Sequence, residues 1–315
     1  LGNQGGWARG GSGNDIIAAG DGDHNLYGGD GDDTLSGGGG NDQLYTGNGN
    51  DTLSGDAGDD ILVINGSGTS TLIGGAGNDT VRQDLTNYTP MGDVNFVVEM
   101  NLAEGFSGGK GYTELRETLV TIENIDYKGP LSSELTGDDQ DNIISGGSGT
   151  DIIIGGAGND TLDGGGGTNA LSGGVGDDTY KYAYDGITTI TDTSGLDHLF
   201  LTTRDVSGKS YWGDGGYYDG NDLIISTSNS SENKLTIKDA VLSTSKIETL
   251  TYYAADNAYT SYNIKLADPG EVSDTEGLLY FGTLGNDVIT TGAGYGEVYL
   301  NDGDDTATLG NQGGW

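Results

Sequence analysis

The sequence has no cysteine, three prolines, two histidines and only 12 lysines and arginines in 315 residues. Each shortage excludes something. Without cysteine there are no disulfide staples and no thiolate metal sites. His24 and His198 do not form a His-Glu-x-x-His zinc motif, and they leave little choice of general base. Twelve basic residues against 49 acidic ones give a formal net charge of −37. Such a charge disfavours phosphate backbones and anionic lipid as partners and favours cations. No apolar run approaches a membrane span, and Leu1–Trp7 does not read as a signal peptide, which places any export signal elsewhere. The expectations are no nucleic acid, no membrane insertion and no enzymatic role.

Glycine is what the chain has in excess, 62 residues of it, and the glycine is periodic. From Gly10, six nine-residue units follow without a gap: GGSGNDIIA, AGDGDHNLY, GGDGDDTLS, GGGGNDQLY, TGNGNDTLS and GDAGDDILV. Position 8 is always aliphatic: Ile17, Leu26, Leu35, Leu44, Leu53 and Leu62. A strict short period is the mark of a solenoid. Each unit reads as a six-residue turn and a three-residue strand. Glycines at positions 1, 2 and 4 permit positive φ, and the position-8 side chain is the one that must be buried. Two units make a full coil, so residues 18 apart stack. Aspartate at position 6 recurs as Asp15, Asp33, Asp42, Asp51 and Asp60. Stacked carboxylates together with turn carbonyls are an all-oxygen donor set of the kind calcium prefers, whereas magnesium demands tighter octahedral geometry.

The glycine-glycine-x-glycine-x-aspartate-x-aliphatic-x unit resembles the nonapeptide of the RTX (repeats-in-toxin) family. The resemblance implies an all-β fold, a parallel β-roll with several Ca2+ ions in its turns, and type I secretion to an extracellular or cell-surface location.

Ile64 breaks the frame, after which NGSGTSTLI and GGAGNDTVR end the first tract at Arg82, with Ser70 and then Asp79 at position 6. A second tract from Gly137 carries Asp151, Asp160 and Asp178 at that position, with Asn142 and Asn169 as softer substitutes. A third tract from Gly282 carries Asp287 and Asp305. The expected organisation is roll at 1–82, connector or cap at 83–136, roll at 137–181, connector or cap at 182–281 and roll at 282–315. The connectors lose the glycine period and gain β-branched and aromatic residues, which reads as small β-rich insertions. Their wording, as in Glu117-Thr118-Leu119 and Leu235-Thr236-Ile237, resembles RTX connectors and implies capping of open roll ends. Tyr211, Trp212, Tyr217 and Tyr218 in the second connector are read as candidate glycan contacts, although aromatic residues there more often form a small core. Gly105-Phe106-Ser107-Gly108-Gly109 has the spelling of a serine-hydrolase elbow but lacks the apolar helix that must follow it.

The heptapeptide LGNQGGW occurs at 1–7 and again at 309–315. Units starting at Gly282, Thr291 and Leu300 place the next start at Leu309, the counterpart of Leu1, and nine residues later comes Gly10. A roll passing from one copy to the next would keep its register. In that register one side of the roll has position-6 residues Asp287, Asp305, Asp15, Asp33 and Asp51. The other has Gly296, Gly6 and His24 before Asp42 and Asp60, and weak or empty cation sites are expected at those three. The chain is read as a calcium-binding structural module of a large secreted, surface or filament protein, with neighbouring copies as partners. The alternative is the secretion and folding domain of a secreted protease, lipase or toxin.

Overall fold

The computed structural model describes residues 1–86, 96–110, 116–183 and 186–201, then 222–226, 234–238 and the strands at 216–219, 247–253, 259–264, 278–281, 288–290, 296–299 and 306–308. Every regular element among them is a β-strand, and none of the described residues forms a helix long and apolar enough to cross a membrane. The chain divides into two compact units, Leu1–Gly156 and Ala157–Trp315.

In the first unit the nonapeptides wind a parallel β-roll. Strands Gly6–Ser12, His24–Asp30, Gln43–Asn48, Ile61–Ile64 and Thr80–Asp84 follow one another in one sheet. Strands Ile16–Ala18, Thr34–Gly39, Thr52–Ala57 and Thr71–Ala76 do so in the other. Register follows from the period: Leu26 pairs with Leu44, Leu44 with Leu62 and Leu62 with Val81, while Leu35 pairs with Leu53 and Leu53 with Leu72. A one-residue slip would turn each of these side chains outward, so burial fixes the pairing. All seven are buried, and each leucine removed from water contributes about 1.5–3 kcal/mol. The flanking residues face outward, where Tyr27 and Tyr45 stack with ring centroids 4.4 Å apart.

The glycines divide their duties differently from the sequence expectation. Positions 2 and 4 have positive φ in most units, as at Gly29 (122°) and Gly31 (120°), but position 1 does not. Position 1 is glycine for want of space. A Cβ on Gly28 would lie 2.5 Å from Asp33 Oδ2 and 2.5 Å from the Thr46 carbonyl oxygen. The one non-glycine at position 2 with positive φ, Asp56 (76°), is held by hydroxyl donors from Ser36 and Ser54.

After Arg82 the chain continues both sheets. Asn124–Lys128 pairs in parallel with Thr80–Asp84 on one side and with Ile143–Ser145 on the other. Glu117–Val120 pairs in parallel with Thr71–Ala76. Two antiparallel strands, Phe106–Gly109 and Val97–Asn101, then widen that sheet before Ser132–Thr136 and Asp151–Ala157 resume the parallel order. Ser107 sits buried within this sheet.

The second unit repeats the plan. Leu162 pairs with Tyr180, Tyr180 with Leu199 and Leu199 with Leu250 in one sheet. Leu171 pairs with Ile190, and Ile190 with Ile237, in the other. Antiparallel strands follow each, Tyr259–Ile264 in the first sheet and Asp222–Ser226 then Gly216–Asp219 in the second. Val288–Thr290 pairs in parallel with Thr306–Thr308.

Candidate metal centre

The position-6 side chains stand where a turn enters a strand, two residues before the buried aliphatic. The period therefore stacks them in two columns along opposite edges of the roll. In one column of the first unit the backbone N–H of Asp15 donates to Asp33 Oδ1 (2.8 Å) and that of Asp33 to Asp51 Oδ1 (2.9 Å). The N–H of Asp51 then donates to Ser70 Oγ (3.0 Å), and that of Ser70 to the Glu117 carboxylate. In the other, the N–H groups of His24 and Asp42 donate to Asp42 and Asp60 Oδ1 (both 2.7 Å). Asp60 and Asp79 continue to Asp79 Oδ1 and Glu123 Oε2 (both 2.8 Å). Each amide thus fixes one oxygen of the carboxylate a coil further on.

The second oxygen is left over. Oδ2 of Asp15, Asp33, Asp42, Asp51, Asp60 and Asp79 is buried and has no hydrogen-bond partner among the described residues. It points into a cradle. A Cβ on Gly37 would lie 2.3 Å from Asp42 Oδ2 and 2.7 Å from the Gly55 carbonyl. One on Gly55 would lie 2.2 Å from Asp60 Oδ2 and 2.7 Å from the Gly74 carbonyl. Leaving a buried carboxylate oxygen unpaired is costly, and six in regular array call for protons or for cations.

Their titration reflects that strain. Burial, with added repulsion from Asp79 and Asp42, pushes Asp60 up to about 7. Burial, with Glu123 and Asp59 nearby, pushes Asp79 to about 6. Burial also raises Asp42 and Asp51, and lifts Glu117 to about 7 with the charge of Asp51 adding to it. Carboxylate and carbonyl oxygens converging on one cradle are a hard donor set that fits Ca2+.

The remaining aspartates picked out from the sequence fall as follows. Asp151, buried and pushed to about 6 by that burial, accepts the N–H and hydroxyl of Ser133 on Oδ1 (3.0 and 2.7 Å) and the N–H of Gly147 on Oδ2 (3.1 Å). In the second unit Asp160 donates its N–H to Asp178 Oδ1 (2.8 Å), and Asp178 donates its own to Asp197 Oδ1 (2.9 Å). Asp287 and Asp305 lie outside the described residues, as do Tyr211 and Trp212. His24, in a column position, is buried with Nδ1 3.2 Å from Asp42 Oδ1 and Nε2 2.9 Å from the Gly2 carbonyl. Asn142 and Asn169 donate their amide NH2 to backbone carbonyls: Asn142 to Glu123 on the preceding coil (2.7 Å), Asn169 to the nearby Gly165 (3.1 Å) and Gly166 (3.2 Å).

Glu117, Glu123 and Asp197 join the columns although they lie outside the nonapeptides. The signal was present in a shorter word. Glu117-Thr118-Leu119, Glu123-Asn124-Ile125 and Asp197-His198-Leu199 each place an acid two residues before a buried aliphatic, the spacing of Asp33-Thr34-Leu35.

No curated protein matches the chain. A family model described as the RTX calcium-binding nonapeptide repeat (4 copies) matches residues 2–35, 27–62, 64–82, 134–153, 145–180 and 281–312, together just over half of the sequence. With repeats at that density, wound as a parallel β-roll whose turns present calcium-type ligands, the chain belongs to the RTX calcium-binding nonapeptide-repeat family.

Proposed function

We propose that this calcium-binding module is a structural repeat of a large secreted surface or filament protein, folding when it meets extracellular calcium and playing no catalytic part. The observation that carries the calcium half is the row of buried, partnerless Oδ2 atoms. Asp15, Asp33, Asp42, Asp51, Asp60 and Asp79 would hold Ca2+ in the first unit, joined by Glu117 and Glu123. Asp151, Asp160, Asp178, Asp287 and Asp305 complete the set read from the sequence. Bound calcium supplies the counter-charge that a chain of net charge −37 lacks. At a free concentration about a hundred times its Kd, one ion stabilises the fold by about 2.7 kcal/mol. At cytosolic levels, far below the affinity of extracellular modules, it contributes almost nothing. Chain entropy and carboxylate repulsion then keep the chain open until export.

The expected outcome, above neutral pH, is a chain that is largely coil in excess chelator and gains its strand signal by circular dichroism on calcium addition, with magnesium a poor substitute. A roll fully formed in chelator would refute calcium-coupled folding.

The structural half rests on the repeated LGNQGGW. Support comes from the strand Gly6–Ser12, which pairs with His24–Asp30 in the register of the period and leaves Trp7 73 % exposed. Sequencing the parent gene tests it. Codons for DDTATLGNQGGW running directly into ARGGSGND establish neighbouring copies as partners. A single copy beside a catalytic domain replaces this reading with a secretion and folding device for a protease, lipase or toxin.

A further inference from the structure

The column in the second unit meets a group of residues that the nonapeptide does not contain. Ser194 bridges Val175 and Gly195 has the positive φ (137°) of position 4, so Asp192 occupies position 1, one coil on from Gly173. Position 1 is glycine in most units because the position-6 carboxylate needs the space. Here it is a second carboxylate. Asp178, Asp192 and Asp197 are all buried, and each offers an oxygen within 4.8 Å of the other two. Oxygens bound to one Ca2+ at about 2.3–2.6 Å lie no more than about 5 Å apart.

Two further observations point to a ligand. Asp178 is fully buried, and its Oδ2 has no hydrogen-bond partner among the described residues. That oxygen faces the group: a Cβ on Gly173 would lie 2.0 Å from it and 2.4 Å from the Tyr180 hydroxyl, which donates to Asp192 Oδ2. The hydroxyl in turn accepts the N–H of Gly173 (2.8 Å), so it is held from behind while it fixes Asp192. Tyrosine at position 8, where other units have an aliphatic side chain, is what reaches this far. Thr193 N–H, and Ser194 N–H at 3.1 Å, set the other oxygen of Asp192.

We propose that Asp178, Asp192 and Asp197 form a three-carboxylate cation site at this point of the roll, selective for Ca2+ and trivalent lanthanides, with Tyr180 as its positioning residue. This rests on the calcium reading of the columns and adds to it a site richer in charge than the nonapeptide provides. More carboxylates raise affinity for hard cations, so this site fills before the others. The Tyr180 ring, whose hydroxyl donates to Asp192, is placed to sensitise a luminescent lanthanide there.

The test is a Tb3+ titration of the whole chain, exciting tyrosine and reading terbium emission, beside a calcium titration followed by circular dichroism. The first equivalent is expected to give strong sensitised emission. Asp192→Asn should weaken that equivalent at least tenfold and remove one tight calcium by calorimetry. Tyr180→Phe should cut the early emission severalfold while the circular dichroism in calcium is kept. If Asp192→Asn fails to fold, the emission of Tyr180→Phe decides. Emission and stoichiometry unchanged in the variants, with calcium still folding the chain, overturn this site alone. A chain that neither folds with calcium nor binds Tb3+ overturns the calcium reading beneath it.

Discussion

The two edges of the first unit's roll are built on one period but are not alike. One runs His24, Asp42, Asp60, Asp79, Glu123, with four carboxylates in succession after the histidine. The other runs Asp15, Asp33, Asp51, Ser70, Glu117, and is interrupted by a hydroxyl. In both, the ladder of amide N–H to side-chain oxygen is unbroken, because Ser70 Oγ accepts from Asp51 as a carboxylate would. The difference teaches that a position-6 residue has two separable duties. Holding the next turn needs any oxygen acceptor, while holding a cation needs a second, charged oxygen. Ser70 keeps the first duty and gives up the second. Position 1 follows suit: Asn65 and Ala19, not glycine, accompany Ser70 and His24, where no carboxylate Oδ2 claims the space. Thr46, beside Asp51, departs from this pattern.

The comparison is broken most directly by substituting carboxylates in pairs. Asp42→Asn with Asp60→Asn should cost more bound calcium and a larger fall in Tm than Asp33→Asn with Asp51→Asn. Each lost ion is worth about 2.7 kcal/mol at a hundredfold excess of calcium over Kd. Equal losses, by calorimetry and thermal melting, would mean that the uninterrupted edge has no advantage.

A smaller effect is expected from pH. In the metal-free roll Asp60 and Asp79 titrate near 7 and 6, above their unfolded values. Their protonated forms therefore favour folding. That contribution is whole below about pH 4, and is lost as the pH rises through 6 to 7 and the folded form must ionise. In chelator the strand signal should fall between pH 5 and pH 7.5, as values of about this size require. With calcium the trend reverses, since ion and proton compete for the same oxygens. A metal-free roll more stable at the higher pH would contradict the burial of these carboxylates.

The smallest effects should come from additions. His24→Asp and Ser70→Asp each supply a missing charge, and a tenfold gain in affinity at one site corresponds to about 1.4 kcal/mol. The gain should be clearer at Ser70, which has Asp51 and Glu117 on either side, than at His24, whose ring already engages Asp42 and the Gly2 carbonyl. Calorimetric stoichiometry reads both.

The roll itself was legible because a nine-residue period dense in glycine leaves few alternatives, and it stacks Leu26, Leu44 and Leu62 on one face. Asp33, Asp42, Asp51 and Asp60 were legible for the same reason. Glu117 and Glu123 were not, since the glycines that announce a turn are absent before them and their register is set by pairing with Thr71–Ala76 and Thr80–Asp84. Asp192 was hidden by the single extra residue between Asp178 and Asp197. The true job of position-1 glycine was also invisible, because a shortage of space and a demand for positive φ select the same residue.

The amide ladder has a direction. In the position-6 columns each N–H points to an acceptor on the coil that follows in sequence, while the position-5 amides beside them point back, as Asp32 does to Asn14 Oδ1 and Asn50 to Asp32 Oδ1. Each end of such a stack is thus lined by donors of one rank and acceptors of the other, like the two halves of a peg-and-socket coupling. Two modules joined in continuation of these columns would meet head to tail, each rank finding the complement it already finds one coil away, a heterologous contact that can repeat. A roll continued in this way would grow as a thread.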